Sequence, residues 1–456
     1  MSRKDNRFAR REFLLATAGA MIAVRSARPA SIPNPAAKTL TPDDRAFLND
    51  YAKRCFRYFW EQWDQHTGLC MDRARSDGAP SGGYVASSAS TGFGLTALCI
   101  AAEHGWIPKQ QARARAITTL RYYWAHAFHD HGWFYHFTDA RTGARRLNSE
   151  ISTIDTALLL AGMLTVAGYF SADHEIRLLA KQIFERVDFA WMLNGNPRLL
   201  CHGVMPGSGF LSYRWASYSE ASILYLLAIG SPHRGISEES WYAWSRPEVQ
   251  YEKWRFISGG PLFTHQFSHA WVDFRHQKDG DPSYIDYFEN SQIATYAHRD
   301  FCISLQSKYS DYGPNMWGIT VSDSPRGYVD WGGPPYYGPI NGTLVPCAAA
   351  GSLMFAPDIC LPVLREMQSM YGDQIYGRYG FADAFNPAWH DKKFWVDQDV
   401  VGIDLGISLL SMENLLTGNV WRWFMRNQYV QSAMERIGFQ IATPGIALKE
   451  RPARRT

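Results

Sequence analysis

The strongest constraint on the fold is a set of apolar segments that are rich in small residues and carry no polar stripe. A helix that is apolar all round is stable only where other elements enclose it on every side. The chain must therefore bury several helices at once. Five segments of this kind begin at Thr91, Ser152, Tyr218, Asn341 and Gly402.

A second set of segments is amphipathic, with charged residues along one face, which is typical of helices that pack on a core and face solvent. These segments are residues 42–63, 108–126, 173–193, 284–308, 358–371 and 420–438. If the more polar stretch from Pro261 supplies a sixth inner element, six inner helices alternate with six outer ones. The pattern predicts an all-α chain, an (α/α)6 barrel with long aromatic-rich loops, and gives little evidence of strands.

The N-terminal segment resembles an export signal. Arg10 and Arg11 precede the apolar stretch FLLATAGAMIAV, a pattern typical of a bacterial Tat signal, and this stretch is too short to span a bilayer. We expect residues 1–30 to be that signal, read by the Tat export machinery. We expect the mature protein to be periplasmic or secreted, without stable membrane insertion. No break in composition divides residues 40–447, which predicts a single domain.

Charge and composition narrow the function. The formal charge is +3, without a concentrated Lys/Arg tract outside the termini, which argues against a nucleic-acid partner. Aromatic residues make up 14% of the chain, more than a core of this size needs, and flat rings can stack on sugars. The seven cysteines form no CxxC or Cys/His ligand cluster, so we expect neither structural zinc nor a cofactor.

Three apolar segments carry a carboxylate at or just before their start, namely Asp155, Glu220 and Asp404. A carboxylate in this position also stabilises a helix N-terminus by capping, so each one has a structural alternative. Hydrolysis of a glycosidic bond needs a carboxylic acid that protonates the leaving oxygen and a second carboxylate that activates water. Apolar surroundings keep an acid protonated near neutral pH. Glu220, beside ILYLLAIG, suits the acid, and Asp404 suits the base.

Five strings of residues are similar to a known family. They are ISTIDTALLLAG from Ile151, HQFSHAWVDFRH from His265, GTLVPCAAAGSLMFAP from Gly342, YGRYGFADAFNPAW from Tyr376 and GIDLGISLLSMENL from Gly402. They resemble the bacterial glycoamylase-like domain, which includes glycoside hydrolase family 144. The resemblance covers nearly all of the mature chain in the same order. It implies an (α/α)6 barrel and inverting hydrolysis of β-1,2-glucan, and it does not imply starch hydrolysis.

The resemblance also implies roles for particular residues. Glu220 matches the general acid of the family, and Asp404 of GIDLG matches the base, with Asp397 and Asp399 as competing positions. Glu150 and Asp155 match acidic positions that bind sugar hydroxyls at the cleavage site.

Asp383 and Glu413 are further acidic candidates, although Glu413 also suits a structural pair or cap. Two positions depart from the family pattern: Ser219 stands where Asn is expected and Asn341 where Asp is expected. These departures leave the linkage specificity less constrained than the fold.

Several other side chains have both a binding and a structural interpretation. Trp215, Trp331 and Trp389 lie in or beside loops and are candidate sugar platforms or core residues, and Arg275 is a candidate sugar ligand or a partner in an ion pair. His265, His269 and His276 are close in sequence, but the segment lacks HExxH and an evident third ligand. We therefore expect no metal there.

Other functions remain open on the sequence alone. A polysaccharide lyase of the same architecture would need a basic cluster for its anionic substrate, whereas these loops carry as many acids as bases. A carbohydrate-binding protein would need the aromatic rings but not the buried acids. A transglycosylase, or an exo-acting hydrolase of oligosaccharides, would use the same acid as an endo-acting hydrolase.

Overall fold

A computed structural model describes residues 39–79, 83–334, 338–389 and 393–441 of the 456-residue chain. The predicted signal in residues 1–30 lies outside these residues. Helices dominate the described part. They are α1 (Pro42–Glu61), α2 (Ser88–Glu103), α3 (Lys109–Ala125), α4 (Thr153–Tyr169), α5 (His174–Arg186), α6 (Ser222–Gly230), α7 (Glu239–Ala243), α8 (Phe267–Trp271), α9 (Tyr287–Ser304), α10 (Pro346–Ala350), α11 (Pro357–Ile375), α12 (Gly402–Leu416), α13 (Asn419–Phe424) and α14 (Gln428–Ile437).

Short strands are more frequent than the sequence indicates. They are β1 (Arg73–Arg75), β2 (Val85–Ser87), β3 (Phe137–Asp139), β4 (Ile151–Ser152), β5 (Gly203–Met205), β6 (Gly209–Phe210), β7 (Glu248–Tyr251), β8 (Trp254–Ile257), β9 (Gln277–Lys278), β10 (Tyr376–Gly377), β11 (Gly380–Phe381), β12 (Phe385–Ala388), β13 (Lys393–Val396), β14 (Asp399–Val401) and β15 (Gln440–Ile441). All their pairings are antiparallel, and the described sheets have two or three strands. Strands of two to four residues are too short to show a period of two, so the prediction of few strands was wrong.

Four of the predicted inner helices form as long apolar helices: α2, α4, α6 and α12. Nearly every residue of these helices is buried. The other two inner elements are shorter than predicted. The segment from Pro261 divides into a 3-10 turn (Leu262–His265) and the five-residue α8. The segment from Asn341 contributes only the five-residue α10, because Leu344 pairs with Phe385 as an isolated bridge and Pro346 starts the helix.

The outer helices follow the amphipathic segments, with two differences. The segment 173–193 is helical only to Arg186 and ends in a 3-10 turn, Ala190–Leu193. The segment 420–438 divides into α13 and α14, because Asn427 caps a new helix by accepting a hydrogen bond from the amide of Tyr429. At the start of the fold, Thr41 and Asp44 form a reciprocal capping box that fixes the first turn of α1.

The apolar helices contact one another in chain order. α2 packs against α4, α4 against α6, and α12 against α2 and α10. Two hydrogen bonds join the remaining neighbours. The amide of Ile223 in α6 donates to Ser268 Oγ in α8 at 2.9 Å, and Gln266 Nε2 before α8 donates to the carbonyl of Ala348 in α10 at 2.9 Å. The first turns of the apolar helices are thereby held close to one another.

Glycine allows the closest of these contacts. A Cβ on Gly162 of α4 would lie 2.1 Å from the carbonyl oxygen of Gly92 in α2, and a Cβ on Gly92 would lie 2.3 Å from the carbonyl oxygen of Leu158. The backbones of α2 and α4 therefore touch where neither residue has a side chain. This contact sets how closely the two helices approach each other.

One large apolar cluster runs through the described chain from Phe47 to Ile437, and a small second cluster contains Phe256, Ala294 and Ala297. All seven cysteines lie in buried positions as free thiols. None of the helices in the described ranges has both the length and the apolar character that a membrane span requires.

We expect Gly162→Ala to destabilise the fold by about 1–3 kcal/mol, because the added methyl forces α2 and α4 apart. Urea unfolding of the purified variant measures this loss. Gly372→Ala in α11 is the matched control, since a Cβ there would meet Gln368 Cγ only at 3.6 Å. The control should gain about 0.5–1 kcal/mol from its better helix propensity. An equal gain in both variants would show that helix propensity, not close packing, governs the Gly162 position.

Candidate active site

Glu220 lies two residues before the start of α6, in the turn that follows the bridge between Ser217 and Ser245. Its backbone carbonyl accepts a hydrogen bond from Ser268 Oγ at 2.5 Å, which ties the turn to α8. Among the described residues no side chain donates to its carboxyl group. Burial, with a smaller contribution from the negative charges of Asp155 and Asp330, raises the pKa of Glu220 to about 7. A substantial fraction of this carboxyl therefore keeps its proton near neutral pH.

Asp155 and Glu150 lie beside Glu220 and share one histidine. His136 Nδ1 is 3.1 Å from Glu150 Oε1, and His136 Nε2 is 3.4 Å from Asp155 Oδ1. Burial by itself would lower the pKa of His136, but Asp155 and Glu150 outweigh it and raise that pKa to about 9. The imidazole is therefore a cation with both nitrogens directed at carboxylates. We refer to Glu220, Asp155, Glu150 and His136 as the Glu220 group.

Asp155 is also part of the start of α4. Ser152, the N-cap, accepts a hydrogen bond from the Asp155 amide at 3.3 Å and donates its hydroxyl to Asp155 Oδ2 at 2.6 Å. Burial raises the pKa of Asp155, while His136 and Ser152 oppose the rise. The Asp155 carboxylate therefore contacts both the N-cap residue of α4 and the imidazole of His136.

A second group of acids surrounds the start of α12. Asp383 and Asp404 are buried close to each other, and Asp383 Oδ1 and Asp404 Oδ2 have no hydrogen-bond partner among the described residues. Burial raises the pKa of both, and the charge of Asp404 raises that of Asp383 further. Cys347 Sγ donates to Asp404 Oδ1 at 3.3 Å. Asp383 is therefore the member that holds the proton, and Asp404 is the member that becomes ionised.

Asp397, Asp323 and Arg73 complete this second group, which we refer to as the Asp404 group. Burial raises the pKa of Asp397 to about 7. The amide of Asp323 donates to Asp383 Oδ2 at 2.8 Å, and Arg73 Nη1 lies 2.5 Å from Asp323 Oδ2. Arg73 supplies positive charge to this group, as His136 does to the other.

Asp72 connects the two groups. Its carboxylate lies 3.0 Å from Arg73 Nε. Its charge acts on the pKa of His136 and Asp155 on one side and on that of Asp404 and Asp323 on the other. The two acidic groups therefore share one electrostatic environment at the N-terminal ends of the apolar helices.

A loop lies over the Asp404 group. Ser322 and Val329 exchange backbone hydrogen bonds of 3.1 and 2.8 Å, and Trp331 Nε1 donates to Ser322 Oγ at 2.8 Å. Between these anchors, Tyr328 exposes 54% of its surface, and its pKa is raised well above the ordinary value by burial of its hydroxyl and by Asp404 and Asp383. A partly exposed ring with its hydroxyl near the acids suits contact with a bound molecule.

The predicted tryptophan platforms are largely occupied by protein contacts. Trp215 is buried, stacks on His202 at 3.8 Å and donates its Nε1 hydrogen to Thr153 Oγ1 at 2.9 Å. Trp331 is buried in the loop just described. Trp389 lies on the β12–β13 hairpin, 6.2 Å from Trp395, and is only partly buried. Of the three rings, Trp389 has the largest exposed surface.

Arg275 lies away from both acidic groups. Its guanidinium makes two hydrogen bonds of 2.8 Å with Asp273 and sits 4.0 Å above the ring of Trp421. Trp421 belongs to α13, which follows the C-terminal end of α12, whereas Asp404 lies in the first turn of α12. The length of α12 separates the two by about 18 Å at 1.5 Å per residue. The structural interpretation of Arg275 fits this position.

Glu413 and the histidines from the segment after Pro261 are also structural in this arrangement. Glu413 accepts hydrogen bonds from Thr417 and Asn419 and lies 2.7 Å from His104 Nε2, so it caps the end of α12. Burial lowers the pKa of His265 and of His269 to about 3, and each contacts a serine hydroxyl.

Two sets of three side chains have ligand atoms within 4.8 Å of one another, as a metal site would require. They are His136, Glu150 and Asp155, and Asp323, Asp383 and Asp397. In the first set both imidazole nitrogens already face carboxylates as N–H donors, which leaves no lone pair for an ion. In the second set Arg73 already neutralises Asp323. Ion pairing accounts for the first set and for Asp323 in the second, where Asp383 Oδ1 and Asp397 Oδ2 have no hydrogen-bond partner among the described residues.

Reasoning from the sequence missed Asp72, Arg73, His136 and Asp323. None of them lies on an apolar helix, so the pattern that pointed to Asp155, Glu220 and Asp404 does not include them. The only signal is their position: Asp72 directly precedes β1, Arg73 is the first residue of β1, and His136 precedes β3, which pairs with β2.

The chain is similar to known proteins along most of its length. A family model described as "Putative glucoamylase" matches residues 212–428. An exo β-1,2-glucooligosaccharide sophorohydrolase (non-reducing end) from Parabacteroides distasonis is 26% identical over 439 residues. That match covers 88% of this chain but only 59% of the relative, so the chain spans about three fifths of the length of this curated relative.

Solved structures show the same similarity. An endo-β-1,2-glucanase from Chitinophaga pinensis, in complex with sophorotriose and glucose, has a TM-score of 0.80 and 27% identity, covering 88% of this chain and 99% of its own. A protein from Bacteroides fragilis, named as a putative glucoamylase, has a TM-score of 0.79 and 28% identity, covering 91% of this chain and 100% of its own. The resemblance seen in the sequence motifs is confirmed: the chain is similar to glucoamylase-like proteins, and two of the similar proteins are named as β-1,2-glucan hydrolases.

Proposed function

We propose that this protein is a glycoside hydrolase that cleaves β-1,2-glucan, with Glu220 as the general acid. The observation that carries the proposal is the Glu220 carboxyl itself. It has no side-chain donor among the described residues, a pKa raised to about 7, and a neighbouring set of carboxylates. A general acid needs these properties, because it must hold a proton at working pH and release it to the leaving oxygen.

Asp404 is the proposed base. In an inverting reaction the base removes a proton from the attacking water on the opposite side of the sugar. Asp404 is the ionised member of the pair with Asp383, so it can accept that proton, and Asp383 and Cys347 hold its orientation. Asp397 and Asp399 remain alternatives for this role. A pKa of about 7 makes Asp397 a weaker candidate, because much of it is protonated near neutral pH.

Glu150, Asp155 and His136 are proposed to bind sugar hydroxyls at the bond that is cleaved. Carboxylates accept hydrogen bonds from hydroxyl groups, and the charged imidazole holds both carboxylates in place. Tyr328 and Trp389 offer exposed ring surface at the loops around the acids and would contact the sugar faces. Asp383 acts in this proposal through Asp404 rather than on the sugar.

The proposed glycosidic linkage and the choice between endo and exo attack are based on the similar proteins. Their names include both an endo-β-1,2-glucanase and an exo sophorohydrolase, so an exo-acting oligosaccharide hydrolase is a second candidate of the same chemistry. A transglycosylase would use the same acid. A carbohydrate-binding protein without activity is the remaining alternative, and it leaves the raised pKa of Glu220 without a role.

We also propose that the six apolar elements α2, α4, α6, α8, α10 and α12 close into the inner ring of an (α/α)6 barrel. The contacts from each element to the next support this closure. Across the ring, Trp271 Nε1 of α8 donates to Thr96 Oγ1 of α2 at 3.0 Å, which fills the middle with side chains. The acids would then lie at one open end.

We expect the purified protein to release short oligosaccharides from linear β-1,2-glucan and not from β-1,3-glucan, starch or pectin. Glu220→Gln should lower kcat by about 10²- to 10⁴-fold, because the amide cannot donate the proton. Chromatography of the products measures both results, and their size distribution separates endo from exo attack. Glu435→Gln, on the exposed face of α14, is the control and should keep full activity.

Three results would contradict the proposal in different ways. Full activity of Glu220→Gln would remove Glu220 as the acid. Products from another polymer alone would overturn the linkage. Binding of β-1,2-glucan without any product would favour the binding-protein alternative.

We propose that the protein is exported by the Tat route, on the basis of Arg10 and Arg11. Replacing both by Lys should keep the protein in the cytoplasm of a bacterial host, since the machinery reads the arginine pair. Cell fractionation and detection by antibody measure this. Unchanged export of the Lys-Lys variant would show that the segment is not a Tat signal.

A further inference from the structure

A cavity of about 550 Å³ lies outside the acidic groups, between the end of α1 and the outer face of α3. This volume is within the range of pockets that hold small ligands. Three aromatic residues line it, Trp60, Trp63 and Tyr84, and Tyr84 exposes 44% of its surface. The function proposed above assigns nothing to this cavity.

The most unusual group in the cavity is the Arg115 guanidinium. Its Cζ lies 3.2 Å from the ring centre of Trp60 and 4.3 Å from that of Trp63. Its Nη1 donates to the carbonyl of Trp60 at 2.7 Å, and no carboxylate of the described residues is paired with it. Burial lowers the pKa of Arg115 to about 10. A guanidinium has five N–H donors, and those of Arg115 that protein groups do not use can donate to acceptor oxygens of a ligand.

The other charged residues at the cavity already have partners. Glu61 accepts two hydrogen bonds of 2.6 Å from Arg378, and Asp64 accepts hydrogen bonds from the amides of His66 and Thr67. Arg141, the second cation of the lining, lies 3.7 Å from Asp139 Oδ2, with its Cζ 3.9 Å from the centre of one face of the Tyr84 ring. The cavity wall thus carries both signs of charge, with acids close to Arg115. A polyanion would meet these acids, whereas a neutral ligand rich in hydroxyl groups would satisfy the guanidinium without repulsion.

The cavity is next to the acidic groups along the chain. Met71 lines the cavity, and the following residue is Asp72, which connects the Glu220 group with the Asp404 group. The amide of Met71 donates to the carbonyl of Gln62 at 2.9 Å, and that of Asp72 to the carbonyl of Val85 at 2.8 Å. One extended segment therefore separates the two sites, so a polymer bound at the acids can extend to this cavity.

We propose that the cavity lined by Trp60, Trp63, Tyr84 and Arg115 is a second binding site for a neutral glucan chain, which holds the polymer while another part of it lies at the acids. The aromatic rings offer apolar surface to sugar faces, and Arg115 donates to sugar hydroxyls. This inference rests on the proposed hydrolysis of β-1,2-glucan. It predicts that the site matters for a polymer and not for a substrate too short to reach it.

The test compares KM for linear β-1,2-glucan polymer with KM for a β-1,2-linked glucose trisaccharide. Arg115→Met removes the guanidinium and keeps an apolar side chain between the indoles. Tyr84→Asn removes the ring, and Asn suits the positive φ of 48° at this position better than Ala does. Each variant should raise KM for the polymer about five- to tenfold, because it loses one favourable contact with the chain. The kcat and KM for the trisaccharide should stay unchanged. Arg121 is an exposed arginine of the same helix, and Arg121→Met should change neither the KM for the polymer nor that for the trisaccharide.

A parallel rise of KM for both substrates, or no change for either, would overturn the second site. Affinity electrophoresis of Glu220→Gln protein through gels with the polymer provides a readout that does not need activity. If the polymer retards Glu220→Gln protein and retards the Glu220→Gln, Arg115→Met double variant less, the second site is supported. This result supports the site even if the wild-type protein hydrolyses nothing and the proposed function fails. No retardation, or retardation by polygalacturonate alone, would contradict a neutral glucan as the ligand.

Discussion

The apolar character of the inner helices controls where this protein can place polar chemistry. Helices such as α4 and α6 are buried on all sides, so a charged group along their length would be desolvated among hydrocarbon side chains. Only their ends meet loops, backbone donors and other polar groups. The N-terminal ends also carry free amide hydrogens and the positive pole of the helix dipole, which favour carboxylates. Acids therefore gather at one end of the helices, and the same packing that stabilises the fold concentrates them.

That concentration determines the electrostatics of the site. Burial raises the pKa of Glu220, Asp383 and Asp404, because it disfavours the charged form of each carboxyl group. Repulsion between so many acids would be severe without compensation. Nearby positive charges reduce this repulsion: His136 pairs with carboxylates of the Glu220 group, and Arg73 pairs with Asp323 of the Asp404 group. Glu220 has no such partner among the described residues. It is thus the carboxyl whose proton is least held by a neighbour and most available to a bound molecule.

Much of this arrangement is readable from the sequence, for a specific physical reason. The absence of a polar stripe marks α2, α4, α6 and α12 as buried, and a carboxylate at the edge of such a run stands out, as Asp155, Glu220 and Asp404 do. The elements that the pattern overestimates, α8 and α10, begin later than predicted. A 3-10 turn precedes α8, and a backbone bridge at Leu344 followed by Pro346 delays the start of α10, which are local effects without a period. Strands of two to four residues have no readable alternation either.

The remaining residues depend on tertiary contacts that no local pattern encodes. His136 and Asp72 come from segments that become neighbours only when β2 pairs with β3, and Asp323 reaches Arg73 across 250 positions of chain. Arg275 shows the converse error. The motif that contains Arg275 lies beside an inner element, which suggested a place at the acids. The side chain instead contacts Asp273 and Trp421, near the C-terminal end of α12. Periodicity does not show at which end of a short helix a neighbouring residue lies.

The most direct measurement is a titration of the Glu220 carboxyl by carbon-13 NMR of glutamate-labelled protein, with the signal assigned by its loss in Glu220→Gln. A general acid held in this environment should titrate with a midpoint near 7, and replacement of Asp155 by Asn should lower that midpoint, because one of the charges that raises it is gone. A midpoint near the ordinary value of 4.5 would contradict this role, since Glu220 would then be ionised at neutral pH and have no proton to give.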